Sequence, residues 1–179
     1  EVFPLTLFAV SGMLLFPVAT DLITLFVALE VLSLPLYLMA GLSRRRRLLS
    51  QEAALKYFLL GAFSSAFFLF GGAFLYGYSG SLSLNGIVDG ISSAGGNDVF
   101  LLIGIIFLSV GLLFKVGAVP FHNWTPDVYQ GAPTPITGFM AACTKAAAFG
   151  AMLRIFYAGL GADSQQWKPI IAAIAVLTM

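Results

Sequence analysis

The sequence predicts an all-α protein, a polytopic transmembrane helix bundle forming a single membrane region over residues 1–179, and three observations lead there. Of the 179 residues, 59% are hydrophobic and 9% charged, against about 25% charged in an ordinary soluble domain. Mean hydropathy is +0.96, reached without one dominant apolar block, because apolar runs recur along the whole chain between short polar breaks. A spanning helix needs about 20 mainly apolar residues, and about six segments approach that length. A membrane barrel would instead alternate apolar and polar side chains over stretches of about ten residues, a pattern the sequence lacks.

The first helix runs from about Pro4 to Thr20 and the second from about Asp21 to Gly41, with so little chain between them that they form a tight hairpin. The third begins near Ser50, a good N-cap, with Glu52 in the first turn where the helix dipole favours an acid, and reaches about Tyr78. Ser79 to Asp98 is rich in Gly, Ser and Asn and reads as a surface loop. The fourth helix starts after the capping residues Asn97 and Asp98 and continues through Lys115 toward Pro120. The fifth takes Thr134 as N-cap with Pro135 at the first helical position and runs to about Ala158. Gly159 and Gly161 end it, and a sixth begins near Trp167. Glu1 leads into an apolar segment without a basic leader and Met179 falls inside an apolar run. The expectation is therefore the central fragment of a longer subunit.

Net charge is +1, so no global basic field recruits nucleic acid. Arg44 to Arg47 concentrate the positive charge in the short turn between the second and third helices, which by the charge bias of short loops faces the cytoplasm. By alternation the Gly/Ser-rich segment lies on the opposite face, and His122 to Pro135 returns to the cytoplasmic side. The single Cys143 forms no internal disulfide, and one thiol is too few for a zinc or iron–sulfur site. No phosphate loop or dinucleotide fingerprint is present, since the run GLGAD lacks a preceding strand.

Asp or Lys at the centre of a spanning helix costs about 2.5–3.5 kcal/mol on the insertion scale, and three residues need a reason for being there. Glu30 lies inside the second helix, Lys115 inside the fourth and Lys145 inside the fifth. Ser33 offers a hydroxyl on the face of Glu30, and Gly111 and Ala118 leave room beside Lys115. Pro35 and Pro120 cannot donate to the carbonyls of Val31 and Val116, which predicts a helix broken near Pro120, just after the lysine, lining a hydrated cavity. A structural ion pair explains Glu30 and one lysine but leaves the second lysine without an acid in these spans. Intramembrane ionisable groups are by default functional, and the arrangement suits proton transfer. A nearby carboxylate decides whether a buried lysine keeps its proton, so neutralising Glu30 would switch Lys115, with Lys145 the next acceptor. Lys56 and Arg154, near helix ends, read as snorkelling side chains, His122 as a hydrogen-bonded loop anchor, Cys143 as a packing residue, and Phe67, Phe68 and Phe70 as packing or lipid-facing surface.

The segment FKVGAVPFHNWTPDVYQGAPTPITGFMAACTKAAAFGAMLRIF, Phe114 to Phe156, resembles the antiporter-like membrane subunits of respiratory complex I, the proton-pumping NADH:quinone oxidoreductase. The runs LEVLSLPLYLMAGL, Leu29 to Leu42, and EAALKYFLLGAFSSAFFLFG, Glu52 to Gly71, are similar to the same family. The resemblance implies that Glu30, Lys115 and Lys145 stand at the family's proton-carrier positions and that Pro120 marks its broken helix. It also implies partners in other complex I membrane subunits and the lipid bilayer of a bacterial cytoplasmic membrane. NADH, flavin, iron–sulfur clusters and quinone are then expected in partner subunits, with no cofactor in this chain. Ala141 stands where the larger paralogues and the cation/proton antiporter subunits carry histidine, which points to the N-type branch. The alternatives are a subunit of a multi-subunit cation/proton antiporter and a membrane scaffold without a transport role.

Overall fold

The computed structural model describes residues 1–43, 45–94, 99–161 and 164–179. The first arginine of the basic turn, Arg44, the expected caps Asn97 and Asp98, and the last two residues of the GLGAD run lie outside the described residues. Among the described residues the chain is helical, and its one β feature is an isolated bridge between Asp21 and Ser83. The helices are α1 Val2–Leu15, α2 Leu22–Ala40, α3 Arg47–Ser79, α4 Leu84–Ala94, α5 Val99–Val116, α6 Trp124–Gly131, α7 Thr134–Gly159 and α8 Ser164–Thr178. By length and composition α2, α3, α5 and α7 can each cross a membrane, while α1 is apolar but shorter. Large side chains such as Phe3, Leu7, Phe63 and Leu153 are exposed on the outside of the bundle, the surface expected of a protein solvated by hydrocarbon.

The α1–α2 hairpin closes as its residues dictate. The Asp21 carboxylate accepts the Thr24 N–H at 2.8 Å and caps the first turn of α2. Two backbone bonds, Leu22 N–H to Leu82 O at 3.0 Å and Leu84 N–H to Thr20 O at 2.9 Å, fasten that turn to the start of α4. The Gly/Ser-rich segment is thus not simply a loop. Leu84, Ile87 and Ile91 are buried at helical spacing, and one apolar stripe is enough to fold a polar stretch as an amphipathic helix.

The third helix differs from expectation at its start. It begins at Arg47, and Ser50 is not its cap but lies buried inside it. The Ser50 hydroxyl donates to the carbonyl of Ala40 at 2.6 Å and accepts the Ser43 N–H at 3.1 Å. Ala40 is the last residue of α2, whose terminal carbonyls have no partner within the helix, so Ser50 stitches the two helix ends together. At 33 residues α3 is about 50 Å long, well beyond the ~30 Å hydrocarbon core. Its first turns carry the charged Glu52 and Lys56, as suits an end that extends beyond that core. Lys56 does not snorkel alone: it pairs with Glu52 at 2.8 Å and with Asp127 of α6 at 2.6 Å. Gly131 of α6 also sits against the start of α3, where a Cβ would meet Ala53 and the Leu49 carbonyl at 2.5 Å. These contacts place α6 on the same face as the basic turn, as alternation requires.

The centre of the bundle is the crossing of α3 and α5. A Cβ on Gly71 would overlap the backbone nitrogen of Leu108 and lie 2.9 Å from the carbonyl oxygen of Gly104. Small residues let membrane helices approach this closely. Gly111 belongs to the same contact, since its Cβ would meet Phe68 at 2.7 Å, so it serves helix packing and does not open space beside Lys115. Gly71→Ala should force the backbones apart at a cost of about 1–3 kcal/mol and lower the amount of assembled subunit seen on native gels. Gly77→Ala, with nothing within 4 Å of the new carbon, should leave that amount unchanged.

Candidate functional site

The site is built around the end of α5. The helix stops at Val116 because Gly117 adopts φ +77°, a left-handed conformation that only glycine takes at little cost. Ala118 N–H bonds to Leu113 O and Gly117 N–H to Phe114 O, both at 3.0 Å, the paired closure typical of a glycine-terminated helix. The break is thus made at Gly117, three residues before Pro120, which is exposed in the following turn. The carbonyl of Phe114 also accepts the indole N–H of Trp124 at 3.0 Å. Trp124, on the first turn of α6, stacks on Tyr57 with ring centroids 4.9 Å apart at 6° and on Phe114 at 5.4 Å. One side chain therefore satisfies the broken helix and fixes α6 against α3.

This closure places Lys115 one residue from the helix end and 4% exposed. Its Nζ donates to the Ser33 hydroxyl oxygen of α2 at 2.7 Å and faces the rings of Tyr57 and Tyr37 at 5.5 and 5.8 Å. Ser33 gives its own proton to the carbonyl of Leu29. Glu30 lies one turn earlier on α2, on the same helix face as Ser33. It is not in direct ion-pair contact: among the described residues the ion pairs are those of Lys56, and Glu30 Oε1 is buried without a hydrogen-bond partner. A buried ammonium held by one neutral hydroxyl and two ring faces is a costly arrangement for a purely structural group.

Lys145 comes to the other side of the break. It follows a π-helical turn, Met140–Thr144, within α7, a distortion often found at functional sites. Its Nζ lies 3.9 Å from where a Cβ of Gly117 would stand, and it makes no ion pair among the described residues. The structure therefore brings Glu30 and Lys115 together across α2 and α5, and sets Lys145 against the broken backbone beyond them. The break carries further polar groups. His122 Nδ1, Thr125 Oγ1 and Tyr129 Oη are buried without partners, so the His122 ring is not the hydrogen-bonded anchor expected of it. Burial pushes the Tyr129 phenol above its ordinary pKa. Cys143 is exposed and does not pack inside the bundle of described residues.

Tyr37, Tyr57, Trp124 and Thr125 were not singled out in the sequence. Tyr37 was within reach of it, since it falls one turn from Ser33 and two from Glu30, on the same face of α2. Tyr57 and Trp124 meet only through the tertiary fold.

A family model described as the transmembrane region of NADH:quinone oxidoreductase/Mrp antiporters matches residues 19–179. The chain belongs to that family. Within the NADH:quinone oxidoreductase/Mrp antiporter family, NADH-quinone oxidoreductase subunit N of Rhodococcus opacus (strain B4) is 70% identical over the whole of this chain, which covers 33% of that protein. Subunit N of Mycobacterium tuberculosis (strain H37Rv) is 66% identical, again over the whole chain and 34% of the relative. The chain thus spans about a third of the length of the curated relatives it matches. Among solved structures, respiratory complex I from Thermus thermophilus with bound aureothin aligns at 49% identity and TM-score 0.75, over 86% of this chain and 33% of the other. The Mrp complex from Dietzia sp. DQ12-45-1b, at 24% identity and TM-score 0.79 over 94% of this chain and 31% of the other, shares the fold.

Proposed function

We propose that this chain is the part of a proton-translocating membrane subunit of an NADH:quinone oxidoreductase in which Glu30, Lys115 and Lys145 relay protons. The observation that carries the reading is the Lys115 ammonium, 4% exposed, bonded to Ser33 and in no direct ion pair among the described residues. A proton on Nζ is held by the Ser33 oxygen and by the charge of Glu30. When Glu30 is neutralised, that ammonium keeps only a neutral acceptor and two ring faces, and its proton is released toward Lys145 at the far side of the break. The redox chemistry belongs to partner subunits, which supply the electron flow from NADH to quinone. Other membrane subunits of the complex surround this one in a bacterial cytoplasmic membrane, with Arg45 and Arg46 of the α2–α3 turn and Arg47 at the start of α3 on the cytoplasmic face.

Subunit N relatives at 64–70% identity and Ala141 in place of histidine favour this reading over a cation/proton antiporter. In the assembled complex, reconstituted into vesicles, Lys115→Met in the full-length subunit should lower NADH-driven proton translocation at least about tenfold, the effect of ~1.4 kcal/mol on a barrier. Unaltered translocation would remove Lys115 from the path. Sodium-dependent exchange without NADH or quinone would favour the antiporter, and loss of assembly with normal pumping in the complexes that do form would favour a scaffold.

A further inference from the structure

The break that ends α5 carries a polar group that the relay as stated does not use. Thr125 sits in the first turn of α6, and its hydroxyl oxygen is buried without a hydrogen-bond partner. Other buried hydroxyls in the bundle spend their proton on a backbone carbonyl, Ser33, Ser109 and Thr144 on the one a turn back and Ser50 and Ser64 on one of a neighbouring helix. In the first turn of a helix there is no such helical carbonyl to reach. The Thr125 backbone N–H bonds to the carbonyl of His122 at 2.9 Å, so the backbone is satisfied and only the hydroxyl is left over. An unpaired buried hydroxyl is costly, and its direction shows what it is set against. A Cβ at Gly117 would stand 3.1 Å from Thr125 Oγ1 and 3.9 Å from Lys145 Nζ. Gly117, held at φ +77°, carries no Cβ, so this point stays clear of side-chain atoms, and the hydroxyl and the ammonium both border it, at 3.1 and 3.9 Å.

We infer that the Thr125 hydroxyl is the hydrogen-bonding station that links the broken end of α5 to Lys145. The inference rests on the proton-relay reading and adds the group through which Lys145 communicates with the break. A threonine hydroxyl accepts on its oxygen and donates its own proton. It can therefore take a proton arriving from the side of the break as it gives its O–H proton toward Lys145, and then reset by rotating about its C–O bond, with no net change in its own charge. The ammonium of Lys145 can only donate, so it needs an acceptor of this kind when protonated and a donor when neutral. Thr125 is both, whereas Gly117 contributes only the clearance between them.

The test is a set of substitutions in the full-length subunit of the assembled complex, read as NADH-driven proton translocation per complex beside the amount of complex formed. Thr125→Val keeps the shape and removes the hydroxyl, and Thr125→Ser keeps the hydroxyl and removes the methyl. The expected result is translocation at least about tenfold lower in the valine variant and restored in the serine variant, with a changed pH profile in valine alone. Should the valine variant fail to assemble, Thr125→Ala removes the hydroxyl without its bulk and is read the same way. Wild-type translocation in the valine or alanine variant, while Lys115→Met lowers it about tenfold, overturns the inference and leaves the relay reading standing. Equal losses in valine and serine overturn it as well, because the methyl and not the hydroxyl would then matter. If Lys115→Met also pumps normally, the relay reading fails and the inference fails with it.

Discussion

Trp124→Ala is expected to destabilise the subunit by about 3–5 kcal/mol, the range for truncating a large aromatic in a packed core. The residue is 2% exposed and stands at the junction of three elements. It stacks on Tyr57 of α3, on Phe114 of α5, and meets Tyr129 of its own helix edge to face at 6.0 Å. Its indole N–H also covers the Phe114 carbonyl at the helix break, a depth at which an unsatisfied carbonyl is expensive. The two contributions separate by substitution. Trp124→Phe keeps an aromatic ring and loses only the donor, which should cost about 1–3 kcal/mol. Thermal stability and yield of the purified complex should fall in the order tryptophan, phenylalanine, alanine. Equal yields for all three would mean that α6 is held elsewhere, through the Lys56–Asp127 pair. That pair is exposed, and such surface pairs contribute little.

Much of this arrangement was legible in the sequence because it rests on composition and period. The apolar segments gave the spanning helices within a few residues, and Asp21 and Gly41 marked the ends of α2. Glu30, Lys115 and Lys145 stood out because charge inside an apolar run has few explanations. What escaped depended on less local information. Pro120 drew attention as a helix breaker, but Gly117 ends the helix first, because its left-handed turn closes two hydrogen bonds before the proline is reached. The Gly, Ser and Asn content of residues 79–98 hid the stripe of Leu84, Ile87 and Ile91 that makes α4. Ser50 has the side chain of an N-cap and serves the end of the preceding helix, a choice set by how the α2–α3 turn folds back. The π-helical turn before Lys145 follows from hydrogen-bond register, which residue type does not encode. The aromatic enclosure of Lys115 draws on two other helices, α2 and α3.

The relay itself rests on Glu30 and Lys115 acting as one unit, although no direct ion pair joins them. Glu30 is one turn from the hydroxyl that holds the ammonium, with one carboxylate oxygen buried and unpartnered, so each residue gives the other its reason for being charged at this depth. The direct test is a double-substitution cycle on proton translocation in the reconstituted complex, with Glu30→Gln, Lys115→Met and both together. Residues that share one function are strongly non-additive. Each single change should lower translocation about tenfold, and the pair should be no worse than the more severe single, where independent effects would multiply to about a hundredfold. Multiplied losses, or singles that pump as the unaltered complex does, would contradict a shared proton path through Glu30 and Lys115.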